Sequence, residues 1–155
     1  MSADQLFTPG RVLTALRVAG IVLVVAGVTA LPFARYTEVA NNTSQNFTVG
    51  ALTPMPLTLC ALSLLLTVLL TRKESHALNV ANVTLGGLLA TFAVLVALAK
   101  ISDANAMSET ATSFNSTYFG VGVKLALVGA GAIITASVVG LNEAKKPSPQ
   151  HGPMN

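Results

Sequence analysis

Two cations inside apolar segments are the residues of this chain best suited to chemistry. Arg17 lies near the start of the segment VLTALRVAGIVLVVAGVTALPF, and Lys124 lies near the start of FGVGVKLALVGAGAIITASVVGL. A charge inside a membrane is costly, so it commonly marks an ion or substrate pathway. Both cations, however, lie within about one to two turns of a segment end, so their long side chains can extend to the lipid headgroups. We therefore interpret Arg17 and Lys124 as interfacial anchors.

No pattern in the sequence predicts a catalytic, metal-binding or cofactor-binding residue. No Asp or Glu lies inside an apolar segment, where a proton relay would need one. His76 and His151 have no second ligand at metal-binding spacing. Cys60 is the only cysteine, so it cannot form an internal disulfide, and we expect it to pack inside a helix. Hydrolase serine motifs and phosphate-binding glycine loops are also missing. We expect a protein that is not an enzyme and has no cofactor.

The elements that position these residues are four long apolar segments. Of the 155 residues, 52% are apolar and only 10% are charged, whereas a soluble domain carries about 25% charged residues. A membrane span needs about 20 predominantly apolar residues. The segments cover residues 12–33, 52–70, 77–99 and 119–141. They predict an all-α fold, an integral membrane four-helix bundle with up-down topology, formed by residues 1–142. We expect residues 143–155, which contain three prolines and no apolar run, to form a disordered cytoplasmic tail.

The distribution of cations predicts the orientation of the bundle. Six cations flank the segments on one side of the membrane and three flank them on the other. Cytoplasmic loops carry the excess of Lys and Arg, so both termini are predicted to be cytoplasmic in a multi-pass protein of the cell membrane. The six are Arg11, Arg17, Arg72, Lys73, Lys145 and Lys146, and the three are Arg35, Lys100 and Lys124.

An alternative interpretation concerns the first segment. Its basic start, its apolar core and Val28-Thr29-Ala30 are also typical of a signal peptide with a small-residue cleavage site. We favour a retained span, because the apolar stretch approaches the full spanning length.

Small residues recur at intervals of four in the last segment and predict a groove for close helix packing. Such a groove lets a second backbone approach, which gives van der Waals contact that lipid cannot match. We expect it to pack the four helices together; the alternative is that it receives a helix of another membrane protein. The groove residues are Gly122, Ala126, Ala130, Ala132, Ala136 and Gly140.

Polar residues in and between the segments are expected to be structural. Asn79 and Asn82 are three positions apart, so they share one helix face and can form hydrogen bonds to other helices. The two outer segments, of about 18 residues each, are predicted to be polar loops. Four asparagines in them begin glycosylation sequons, which matter only in a eukaryotic source. They are Asn41, Asn42, Asn46 and Asn115.

Two stretches resemble small four-span membrane proteins of actinobacteria, whose roles are mostly undetermined. They are Leu31-Pro32-Phe33, followed by Tyr36, and the glycine-led run YFGVGVKLALVGAGAIITASVVG. The sequence departs from that pattern in having no tryptophan after the proline. The resemblance implies a cell-envelope setting and no catalytic residue.

These observations favour a non-enzymatic accessory or structural subunit of an envelope membrane complex. The alternative is a small transporter or channel that works as a homo-oligomer. We expect the partners to be the lipid bilayer and another membrane protein. Nucleic acid is excluded, because Lys and Arg are not clustered on one face. The oligomeric state is left open.

Overall fold

The computed structural model describes residues 8–38, 43–73, 75–109 and 115–144. Four helices form most of it, and each is long enough and apolar enough to span a membrane, as the sequence predicts. Residues 145–155 of the predicted tail lie outside the described residues, and the last helix includes residues 143 and 144. The helices are α1 (Pro9–Ala30), α2 (Pro54–Arg72), α3 (His76–Glu109) and α4 (Val121–Ala144).

Prolines define three of the helix boundaries. Pro9 and Pro54 are the first residues of α1 and α2, where the missing backbone N–H leaves no hydrogen bond unmade. Pro32 follows the end of α1, and the residue before a proline is disfavoured in the helical conformation. Proline positions therefore place the helix boundaries within a few residues of the predicted spans.

The prediction of an all-α fold with two polar outer loops is incomplete, because those segments form a sheet. Strands β1 (Ala34–Glu38) and β2 (Thr43–Phe47) come from the first outer segment, and β3 (Asn115–Phe119) comes from the second. Both flanking strands pair antiparallel with β1, in the order β2-β1-β3. The sequence pattern missed the sheet because the pairing of β1 with β3 joins residues about 80 positions apart, which no local periodicity reports.

Helix α3 continues ten residues beyond the predicted end of its span at Ala99. Its 34 residues correspond to a length of about 51 Å at 1.5 Å per residue. A bilayer core of about 30 Å cannot enclose that length. Helix α3 contacts both β1 and β3 and therefore supports the sheet.

The first and the last of the four helices, α1 and α4, pack antiparallel. Gly20 of α1 approaches Gly129 of α4, and Gly27 approaches Gly122, so the two sequences run in opposite directions. The interior contains small and branched apolar side chains, with Phe33 and Phe92 toward the sheet end. We call the end at which α1 and α3 begin the arginine end, because Arg11, Arg17 and Arg72 lie there, and the opposite end the sheet end.

Candidate functional site

Arg17 lies inside the bundle, bonded to two other helices. Its side chain is 4% exposed. Its Nη2 donates hydrogen bonds to Oδ1 of Asn79 at 2.7 Å and to the carbonyl oxygen of Ala136 at 3.1 Å. Its Nε donates to Oγ of Ser137 at 3.3 Å. The structure therefore differs from the expectation that Arg17 extends toward the headgroups: the guanidinium is directed inward and joins α1 to α3 and α4.

The chain makes room for this guanidinium with a glycine. A Cβ on Gly140 would lie 2.9 Å from Nη2 of Arg17 and 2.9 Å from Oδ1 of Asn79. Any larger residue at this position would displace the pair. Asn79 is itself fixed by a hydrogen bond from its Nδ2 to the carbonyl oxygen of Ser75 at 3.3 Å. Gly140, expected to form part of a helix-packing groove, therefore also adjoins a buried polar cluster.

A second polar contact joins α2 to α3 one turn further along. Ser63 donates a hydrogen bond from Oγ to Oδ1 of Asn82 at 2.9 Å, and both side chains are fully buried. Thr67 donates to the carbonyl oxygen of Ser63 at 2.8 Å. The expectation that Asn79 and Asn82 form bonds to other helices is confirmed. Asn79 accepts a hydrogen bond from α1 and Asn82 accepts one from α2, so α3 makes polar contacts with both helices.

Sequence reasoning did not identify the residues that complete these contacts. Ser63 and Ser137 were not singled out, because a small hydroxyl in an apolar helix is common and usually bonds within its own helix. The sequence feature that could have pointed to such acceptors was Arg17 itself. A cation directed inward requires oxygen acceptors on the facing helices.

A cavity of about 950 Å³ opens between α1 and α2 at the arginine end. Arg17 and Asn79 form part of its wall, and Leu13, Val18 and Leu70 provide apolar surface. Arg11 and Arg72 also line it, and both are exposed. None of its described lining residues is acidic. The cavity therefore combines three arginine residues with an apolar wall.

The small residues of α4 face other helices. A Cβ on Gly122 would lie 2.7 Å from the carbonyl oxygen of Gly27, and a Cβ on Gly20 would lie 2.6 Å from that of Gly129. A Cβ on Gly86 of α3 would lie 2.7 Å from Cγ1 of Ile134 and 3.3 Å from the carbonyl oxygen of Ala130, both on α4. Five of the six predicted groove residues are buried, and the sixth, Ala132, is half-buried beside Gly20. The buried five are Gly122, Ala126, Ala130, Ala136 and Gly140.

Gly129 is the residue of this contact that the four-residue spacing missed. Gly20 and Gly27 are seven positions apart, as are Gly122 and Gly129. A repeat of seven brings residues back to the same seam of two packed helices. The matching seven-residue intervals between glycines on α1 and α4 could therefore have indicated this contact from the sequence.

The two stretches that carry the resemblance to the actinobacterial proteins lie against each other at the sheet end. The backbone N–H of Gly120 donates to the carbonyl oxygen of Phe33 at 2.8 Å, and that of Gly122 donates to Pro32 at 2.9 Å. A Cβ on Gly120 would overlap the Pro32 carbonyl group. Close backbone contact therefore requires a glycine at this crossing point.

Lys124 is exposed on α4 near the sheet end. It lies beside Phe119 and Val94, with which it lines a small cavity of about 150 Å³. Its assignment as an interfacial anchor stays a prediction. Arg17 and Lys124 lie toward opposite ends of the bundle, so they do not form one site.

Among the described residues, no three His, Cys, Asp or Glu side chains lie close enough together to hold a metal ion.

Of the sequons, Asn46 lies exposed on β2 and Asn115 begins β3, whereas Asn41 and Asn42 are outside the described residues.

The fold defines a helical protein with four helices able to span a membrane, joined at one end by a small sheet. A search of protein-family models finds no match to the chain, and a search of curated proteins finds none either. The resemblance to the actinobacterial proteins stays a prediction.

Proposed function

We propose that this chain is a non-enzymatic integral protein of the cell membrane that serves as an accessory or structural subunit of an envelope complex. It crosses the bilayer four times, with the arginine end in the cytoplasm and the sheet outside. Large apolar side chains on the outer faces of the helices support insertion, since water would solvate them poorly. Val22, Leu95 and Val128 are 59%, 61% and 60% exposed.

The observation that carries the accessory role is the close glycine packing of α1 against α4. Backbone meets backbone at Gly20–Gly129 and at Gly27–Gly122, so this seam has no room for a substrate path. The buried amides and hydroxyls at the arginine end bond to other helices. A rigid bundle of this kind is suited to presenting a surface rather than to changing shape.

The sheet is the surface that we assign to the partner. Strands β2 and β3 flank β1, so each has one edge without a neighbour in the sheet. Such an edge offers backbone N–H and C=O groups to an added strand. Tyr118 and Phe119, each 45% exposed, place aromatic surface at one edge. Aromatic residues are enriched at protein interfaces and at the membrane surface.

A photo-crosslinking experiment in native membranes tests this role. A photoreactive residue replaces Gln45, exposed on β2, and a matched variant carries it at Leu95, on the outer face of α3. We expect Gln45 to yield one adduct of defined mass and the same protein to co-purify in mild detergent. Free monomer alone, with no adduct from the sheet, contradicts the proposal.

The second candidate is a homo-oligomeric transporter or channel, and the buried guanidinium of Arg17 favours it. Ionisable groups inside a membrane commonly mark transport pathways, and this one borders a cavity open at the arginine end. Flux measurements on liposomes distinguish the two candidates. An accessory subunit gives no flux above protein-free vesicles. A flux that Arg17→Gln abolishes supports the transporter.

A further inference from the structure

We propose that the cavity between α1 and α2 binds the phosphate headgroup of an anionic phospholipid of the cytoplasmic leaflet. Arg11 and Arg72 hold the phosphate, and the apolar wall contacts the first part of the acyl chains. This assignment rests on the proposed insertion of the chain in a membrane with its arginine end in the cytoplasm.

Charge complementarity identifies the class of ligand. Three arginines, from two different helices, line one cavity: Arg11, Arg17 and Arg72. The planar guanidinium group donates two parallel hydrogen bonds to a phosphate, which makes it the preferred side chain for this anion. Thr8, which precedes α1, and Gly10, its second residue, also line the cavity, so the positive end of that helix dipole faces it.

The arrangement of the lining favours a lipid over a free phosphate ion. Arg11 and Arg72 are exposed toward the helix ends, whereas Val18 and Leu70 lie further along the helices toward the apolar layer. A phospholipid has the same order, with the phosphate at the surface and hydrocarbon below it. The volume of about 950 Å³ far exceeds what a single phosphate ion fills. It lies within the range of about 300–1,000 Å³ that small-molecule sites occupy.

In the proposed membrane orientation, the cavity lies next to the anionic lipids of the cytoplasmic leaflet. Basic pockets between membrane helices on the cytoplasmic side are suited to anionic headgroups, and each Lys or Arg near such a surface contributes about 1 kcal/mol. That value corresponds to a preference of about five-fold per cation, or about 25-fold for Arg11 and Arg72 together.

Lipid binding is measurable with a single reporter because the chain contains no tryptophan. Val18→Trp places the reporter in the cavity wall, and Leu95→Trp places a control reporter on the outer face of α3. Both proteins are reconstituted into vesicles that contain brominated phosphatidylglycerol or brominated phosphatidylcholine, which quench tryptophan on contact. We expect Val18→Trp to prefer phosphatidylglycerol by about 25-fold and Leu95→Trp to show no preference.

Two variants of the Val18→Trp protein test the arginines. Arg11→Gln with Arg72→Gln removes the two exposed cations and leaves Arg17 in place. Lys73→Gln is the matched control, since Lys73 is exposed and adjacent to Arg72 but does not line the cavity. We expect the double variant to lose the preference and Lys73→Gln to keep it. Retained preference in the double variant overturns the assignment of the site.

Three other outcomes also overturn the proposal. Equal quenching by the two lipids at Val18→Trp excludes an anion-selective site. Displacement of phosphatidylglycerol by millimolar inorganic phosphate shows that the site takes free phosphate instead of lipid. Quenching that appears only after deletion of residues 2–7 shows that the chain's own N-terminal segment fills the cavity. If brominated lipids quench neither reporter, membrane insertion itself fails, which separates that result from the failure of this site.

Discussion

Nη2 of Arg17, on α1, donates a 2.7 Å hydrogen bond to Oδ1 of Asn79, which lies 62 positions further along the chain on α3. The same nitrogen donates to the carbonyl oxygen of Ala136 on α4. One side chain therefore joins three helices at the arginine end. Because the charge is buried, each of its acceptors contributes more than an ordinary hydrogen bond in water would.

Loss of the Asn79 acceptor is expected to destabilise the bundle because a buried guanidinium then lacks one of its partners. Asn79→Ala lowers the free energy of unfolding by about 1–3 kcal/mol when Arg17 is present. In a background with Arg17→Met, the same substitution lowers the free energy of unfolding by less. The difference, which is the coupling energy between Arg17 and Asn79, is about 1–2 kcal/mol. The measurement is a double-mutant cycle from unfolding titrations in detergent micelles. Effects that add within about 0.5 kcal/mol contradict a direct interaction.

The glycine contact between α1 and α4 is expected to tolerate no side chain. A Cβ on Gly129 would collide with the carbonyl oxygen of Gly20 and lie 2.9 Å from Cγ2 of Val24. We expect Gly129→Ala to lower the free energy of unfolding by about 1–3 kcal/mol, because the helices must separate.

Gly131 provides the matched control for that substitution, two positions along the same helix. A Cβ there meets no atom within 4 Å. Gly131→Ala is expected to leave stability unchanged or raise it by up to about 1 kcal/mol, since alanine favours the helix. Equal losses for the two variants, in the same unfolding titration, rule out close packing as the cause.

The pairing of β1 with β3 is testable by a disulfide. Arg35 and Tyr118 are cross-strand partners, and both are exposed. In a chain with Cys60→Ala, cysteines at these two positions are expected to crosslink on mild oxidation, because directly opposed Cβ atoms lie about 4.5–5.5 Å apart. Cysteines at Arg35 and Phe119 are one position out of register and should react more slowly. The readout is the mobility shift on a non-reducing gel, and equal rates contradict the register.

Labelling with a membrane-impermeant maleimide tests the orientation of the bundle. Asn46→Cys lies on β2 at the sheet end, and Lys73→Cys follows the end of α2 at the arginine end. With Cys60→Ala as background, we expect intact cells to label Asn46→Cys at once. Lys73→Cys should react only after permeabilisation, because cytoplasmic loops carry the excess of cations. The reverse pattern would place the sheet in the cytoplasm.

The amino-acid sequence by itself determined the four helices able to span a membrane and their approximate ends. Hydrophobicity is a local property, so a run such as residues 77–99 predicts its helix whatever surrounds it. Pro54 likewise marks the start of α2 without reference to any other part of the chain. The small-residue spacing in the last segment was also visible, although it did not reveal which helix would occupy the groove.

Only the tertiary structure decided the direction of Arg17 and the existence of the sheet. Whether a long cation extends outward or turns inward depends on the acceptors that facing helices offer, here Asn79 and Ser137, and these are distant in the chain. The pairing of Ala34 with Phe119 likewise depends on how the bundle brings two loops together. Both are contacts between remote residues, whose free energy depends on packing that local sequence patterns do not contain.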